Sequence, residues 1–179
     1  MIKLAAGWVV LGAFITLLPA YSQGELKIDP KLAGPLVIGP AGLGMVLAAI
    51  YLSRKHKEVK EKLINNGFLI AAISLLIFSF YRYYEFVWGA KIFLFLPIIF
   101  LGFGSSFVQI PAQTLLHINS AEDKRGRVFG VTTTLVRLGQ SVPAVFVGAL
   151  ADLTSPFVTM VIVSVLTLSY AVYLGAEKS

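Results

Sequence analysis

The sequence predicts an all-α polytopic membrane protein, six transmembrane helices in one bundle. Three observations predict it. The 179-residue chain is 57% hydrophobic and 13% charged, where a soluble domain carries about 25% charged residues. Its mean hydropathy is +0.82, so it lacks the polar surface to cover itself in water. Six apolar runs, at residues 4–22, 35–53, 63–81, 90–117, 128–151 and 156–175, each approach or exceed the roughly 20 residues that cross a bilayer as a helix. They are apolar all round, unlike amphipathic core helices, and too long for barrel strands. Third, basic residues gather in alternate connections. With both termini inside, the inner segments hold Lys3, Arg54, Lys55, Lys57, Lys60, Lys62, Lys124, Arg125, Arg127 and Lys178, and the outer loops hold Lys27, Lys31, Arg82 and Lys91. Ten against four fits the positive-inside rule for short loops and predicts an inner (plasma) membrane protein with both termini cytoplasmic.

The same pattern accounts for the net charge of +6 without a nucleic-acid partner. The expected partner on this ground is the lipid bilayer. Cysteine is absent, which excludes disulfides and thiolate-held metals. No cofactor, metal or ATP-binding motif is present. The metalloprotease pattern H-E-x-x-H and the hydrolase pattern G-x-S-x-G are absent too, so no enzyme is expected.

The first run, "LAAGWVVLGAFITLLPAYS", follows Lys3 and ends near Ala20-Tyr21-Ser22, a possible signal-cleavage site. Its apolar stretch exceeds the about 7–15 residues of a signal peptide, which favours a span. The second contains Pro40 and the small pair Gly44 and Ala48. The third ends in the aromatic patch "FYRYYEFVWG", which suits an interfacial belt with Arg82 snorkelling to the headgroups. The fourth carries Gln109 and Gln113, four apart and so on one face. Amides in hydrocarbon need partners, so this face either bonds to neighbouring helices or lines a wet cavity. The loop "NSAEDKRGRVFG" follows, where Arg125 and Arg127 can hold phosphates or carboxylates. The fifth contains Pro143 and the small pair Ala144 and Gly148.

Small residues four apart let helix backbones approach closely, and proline removes one backbone hydrogen bond. Runs two and five, both interrupted in this way, are the middle members of two triplets. Plain helix packing explains that pattern, and so does an inverted three-plus-three repeat.

The loop "RGRVFG" with Gly126, the following "RLGQ" and "GALAD", and "LLPAYSQ" followed by "GPLVIGPAGLG" resemble the major facilitator superfamily. The chain looks like the C-terminal six helices of such a transporter, in the macrolide-efflux-like and enterobactin-exporter-like branch. The resemblance implies an alternating-access carrier of two six-helix halves, here an efflux carrier for small amphipathic organic molecules. The first and fourth helices of each half line the cavity, which places Gln109 and Gln113 near substrate. The second and fifth lie at the seam between halves, where Gly44 and Gly148 would allow close packing. The partner is an N-terminal six-helix half or a second copy. The family's basic loop motif, G-x-x-x-D-R-x-G-R, falls on Ala49 to Lys57. Arg54 matches and Lys57 is conservative, but Ser53 stands at the acidic position and Ala49 and His56 at the glycine positions, which weakens a latch role for this gating loop. A non-transporting scaffold or truncated remnant is the alternative reading.

All nine acidic residues fall in loops, tails or helix ends. Arg137 is the exception among charges. It lies about ten residues into the fifth run, roughly 15 Å deep and close to the midplane of a ~30 Å core. Insertion of arginine there costs roughly 2.5–3.5 kcal/mol. Thr133, Arg137, Gln140 and Ala144 share a face, with Ser141 beside them. Either this stripe faces the seam or cavity, or Arg137 is buried by hydrogen bonds within the bundle.

Overall fold

The computed structural model describes residues 2–24, 30–54, 61–81, 92–118 and 125–176. The elements among them are all helices: α1 (Ile2–Gly24), α2 (Pro30–Arg54), α3 (Glu61–Ser79), α4 (Ile92–Ile118), α5 (Arg125–Leu153) and α6 (Pro156–Ala176). Helices α2 to α6 are each long and apolar enough to cross a bilayer. Helix α1 has 23 residues, about 34 Å of helix. The polytopic all-α class is the one predicted. The prolines do not interrupt it. Helix α2 runs unbroken over Pro35 and Pro40, and α5 runs unbroken over residue 143. A proline in a membrane helix forfeits one hydrogen bond, but neighbouring helices and local adjustment re-satisfy the freed carbonyl. Pro156 fits without loss at the start of α6, behind Ser155, whose hydroxyl accepts from the amide of Val158 at 3.2 Å.

Packing does not follow chain order. The main neighbour of α2 is α4, and the main neighbour of α5 is α1. Helix α1 also touches α4, so a front row runs α2, α4, α1, α5. Helices α3 and α6 pack on one another behind it, α3 on α4 and α6 on α1. These main contacts map onto themselves when the first three helices are exchanged with the last three; the smaller α1–α2 and α5–α6 contacts do not. The detail repeats as well. Gly102, the eleventh residue of α4, meets Ala41, and Gly12, the eleventh residue of α1, meets Gln140. Ala41 and Gln140 each lie thirteen residues before the end of their own helix.

The two buried apolar clusters come from α1, α3, α4 and α6. One joins Phe14, Leu17 and Tyr21 of α1 to Leu75 and Phe78 of α3, Ile98 and Leu101 of α4, and Met160 of α6. The other joins Ile64 and Phe68 of α3 to Val108 of α4 and Ala171 and Leu174 of α6. Helix α2 contributes Val37 and the partly buried Ala41, and α5 the partly buried Val147 and Ala151. Tyr21 ties the rows together. Its hydroxyl donates to the carbonyls of Ser79 at 2.7 Å and Phe78 at 3.2 Å, oxygens left over where α3 ends. Its ring lies 5.2 Å from Phe78. Helix α1 is thus a packed member of the bundle.

In a bilayer, dense packing rather than water expulsion holds helices together. Glycine makes that packing possible here. A Cβ on Gly102 would run into the Ala41 carbonyl, and one on Gly44 into the Ile99 carbonyl. Gly67 and Gly104 face each other across α3 and α4, where a Cβ on either would lie 2.8 Å from the other's carbonyl oxygen.

Candidate substrate-facing surface

Helix α5 shows how the fold positions polar groups at membrane depth. One side carries Gln140 against Gly12, whose added Cβ would lie 3.1 Å from the Gln140 Cα. Gly12 is at the middle of α1, so Gln140 is at mid-depth. A second side, carrying Val142 and Phe146, borders an apolar cavity of about 470 Å³ shared with Val9 and Ala13 of α1 and Val163 and Leu166 of α6. Arg137 is three residues before Gln140, about 60° round the helix on the flank turned away from α6, and roughly 4.5 Å nearer the start of α5. Thr133 and Ser141 occupy the same flank, and all three are exposed. The apolar and polar sides of α5 are therefore segregated, with the polar one on the open side of the front row.

Arg137 is not buried within this bundle. Its guanidinium has no hydrogen-bond or ion-pair partner among the described residues. Two hydroxyls near it, those of Ser141 and Thr134, are committed to their own helix. Ser141 donates to the Arg137 carbonyl at 2.9 Å, Thr134 to Gly130 at 3.1 Å and Thr132 to Val128 at 2.8 Å, the usual back-bonding of Ser and Thr in helices. The groups left to meet a ligand are the guanidinium and the half-buried Gln140 amide.

The α4 amides occupy a different place. Gln109 is half-buried and Gln113 exposed. Both lie on the helix face that carries Gly102, seven and eleven residues further on. Helices α4 and α5 have no substantial contact among the described residues; each packs on α1. Arg137 and the Gln109 and Gln113 amides are thus carried on helices with α1 between them.

One packing assignment changes as well. Gly44 is buried against α4 of the same bundle, so its small size serves an internal contact rather than a seam. Gly148 has nothing within 4 Å of its Cβ position and packs on no neighbour here. Pro40 is half-buried within α2, Arg54 ends α2 exposed, and Gly126 is exposed near the start of α5. Lys57 and the side chains of Arg125, Arg127 and Pro143 lie outside the described residues, as does most of the aromatic patch after α3. Sequence reading missed Gly12, Gly67 and Gly102 as contact glycines. The small residues themselves were the available signal, but they carry no record of which helix they meet.

A profile of the Major Facilitator Superfamily matches residues 1–144. The chain belongs to the major facilitator superfamily. The match spans α1 to α4 and α5 as far as Ala144, so it includes Gln109, Gln113, Thr133, Arg137 and Gln140. No curated protein and no solved structure matches the chain. Membership in the major facilitator superfamily implies membrane transport, a multi-pass placement in lipid and a small-molecule substrate. The two least buried helices, α2 and α5, are the middle members of the two triplets. Only 17% of the most apolar window of α2 is buried, and none of that of α5, against 50% and 56% for α3 and α4.

Proposed function

We propose that this chain is the C-terminal half of an alternating-access efflux carrier for small amphipathic organic molecules. Its cavity wall is the front row of helices, and α2 and α5 meet an N-terminal six-helix half or a second copy. The reading places it in the inner (plasma) membrane with both termini cytoplasmic. The observation that carries it is Arg137, a charge at mid-depth, exposed, without a partner for its guanidinium among the described residues, on the polar flank of an otherwise apolar helix. Such a group is too costly to leave against lipid, so its place is a wet cavity or a charged neighbour across the seam. The absence of acidic residues from the depth of the spans puts proton coupling, which uses buried Asp, Glu or His, in the other half.

The test is efflux of fluorescent amphipathic dyes from cells that lack their own exporters and express the chain together with its partner half. Wild-type cells should extrude dye. Arg137→Gln should cut efflux about ten- to hundredfold, the scale of one charge-assisted interaction, with unchanged amounts in the membrane. Full efflux by that variant refutes the assignment, and no efflux by wild type favours a scaffold.

A further inference from the structure

The exchange of triplets described above also pairs individual residues. If Gln140 of α5 corresponds to Ala41 of α2, then Arg137 corresponds to Ile38, each three residues earlier. Ile38 is 70% exposed. Ser141 likewise corresponds to Gly42 and Thr133 to Gly34, and a Cβ on either glycine meets nothing within 4 Å. Two helices that occupy equivalent ends of the front row thus present opposite chemistry. On α5 the positions carry a guanidinium and hydroxyls; on α2 they carry an isoleucine and bare glycine backbone.

We propose that this asymmetry selects an amphipathic anion: its carboxylate-type head sits on Arg137 beside the Gln140 amide, and its apolar body lies on the front row next to it. The proposal rests on the transport reading above and adds the charge of the substrate. Three features support it. The head-binding group is a permanent cation whose guanidinium no described residue pairs with. The Ser141 and Thr134 hydroxyls near it are bonded to their own helix, so the guanidinium dominates the local field. No acid in the depth of these spans competes for it or would favour a cation. Arg137 is deep enough that a bilayer headgroup does not reach it from the surface without leaving its own leaflet plane.

The experiment uses the purified chain in discs of zwitterionic lipid and three probes that share one body: 1-pyrenebutyrate, its methyl ester and the matching trimethylammonium. Binding is read by fluorescence anisotropy after subtraction of empty discs. The carboxylate should bind about ten- to hundredfold more tightly than the ester, and the ammonium least. Arg137→Gln should remove the preference by weakening the carboxylate alone, and Arg137→Lys should retain part of it. Lys62→Gln, at an exposed position near the start of α3, should change nothing. A carboxylate preference that survives Arg137→Gln, or an ammonium bound best by wild type, overturns the proposal. Discs enriched in phosphatidylglycerol should not displace the probe; displacement would assign the site to lipid headgroups and overturn the substrate assignment. Failure of transport alone leaves a different signature. Selective carboxylate binding without flux would refute the carrier and keep the anion site, whereas dye efflux indifferent to charge would keep the carrier and refute the anion site.

Discussion

The helix pairs α2–α4 and α1–α5 occupy equivalent positions in the bundle and do different work. In both, the middle helix of one triplet lies across a glycine at the eleventh position of the other triplet's first helix. In the α2–α4 pair the fit is close. Gly102 and Gly44 each bring backbone against backbone, and Tyr51 stacks on Phe107 with centroids 5.6 Å apart, itself stacked on Phe103 at 4.6 Å. In the α1–α5 pair a single glycine meets Gln140 with 3.1 Å to a hypothetical Cβ, and polar groups flank the contact. The first pair is built as a clamp. The second is a looser joint that exposes chemistry, which suits a surface that meets a substrate or a second half.

The sharpest way to break the comparison is in the clamp. Gly102→Val places a branched side chain on the Ala41 carbonyl. Overpacking costs about 1–3 kcal/mol and sometimes more, and here backbone rather than a flexible side chain must yield. The variant should fail to accumulate as a folded, detergent-stable protein, checked by size-exclusion fluorescence; normal yield and melting would mean that the clamp is not needed. Next is Arg137→Gln, where flux rather than folding should drop, as set out above. Tyr21→Phe comes third. It removes the hydroxyl from the end of α3 and should cost about 1 kcal/mol, read as a lower melting temperature with the same fold. Gly12→Ala follows, with a loss of under about 1 kcal/mol because a small shift of α5 relieves a 3.1 Å approach. A loss as severe as that of Gly102→Val would erase the distinction between the pairs. Smallest is Gly148→Ala, which should leave the melting temperature of this chain within the range of a neutral surface change, about 0.5 kcal/mol. A lowered efflux from the same variant would locate Gly148 against a partner.

Much of the fold was legible in the sequence because membrane solubility leaves a simple trace. Long apolar runs had to become helices, since no other open structure satisfies its backbone in hydrocarbon. The Gly44–Ala48 spacing correctly announced a close contact. Its partner was not readable, for the physical reason that hydrocarbon and a neighbouring helix demand the same side chains. In water, periodic apolar residues point inward; in lipid, Ile38 and Leu75 look alike in sequence, though one is 70% exposed and the other fully buried. The prolines left the local geometry open for a related reason. A proline marks a missing hydrogen bond, and whether the helix breaks depends on the neighbours that compensate for it.

By itself, then, the sequence determined the class of protein, the run of six apolar segments and the oddity of one arginine at mid-depth. Each of these follows from local energetics, the cost of placing a given residue in hydrocarbon. Only the tertiary structure decided that α2 crosses to α4 and α5 to α1, that Gly44 is internal, and that Arg137 lies on the flank away from α6 and apart from the α4 amides. Those are matters of shape between helices, and the hydropathy of a segment contains no term for which neighbour it will meet.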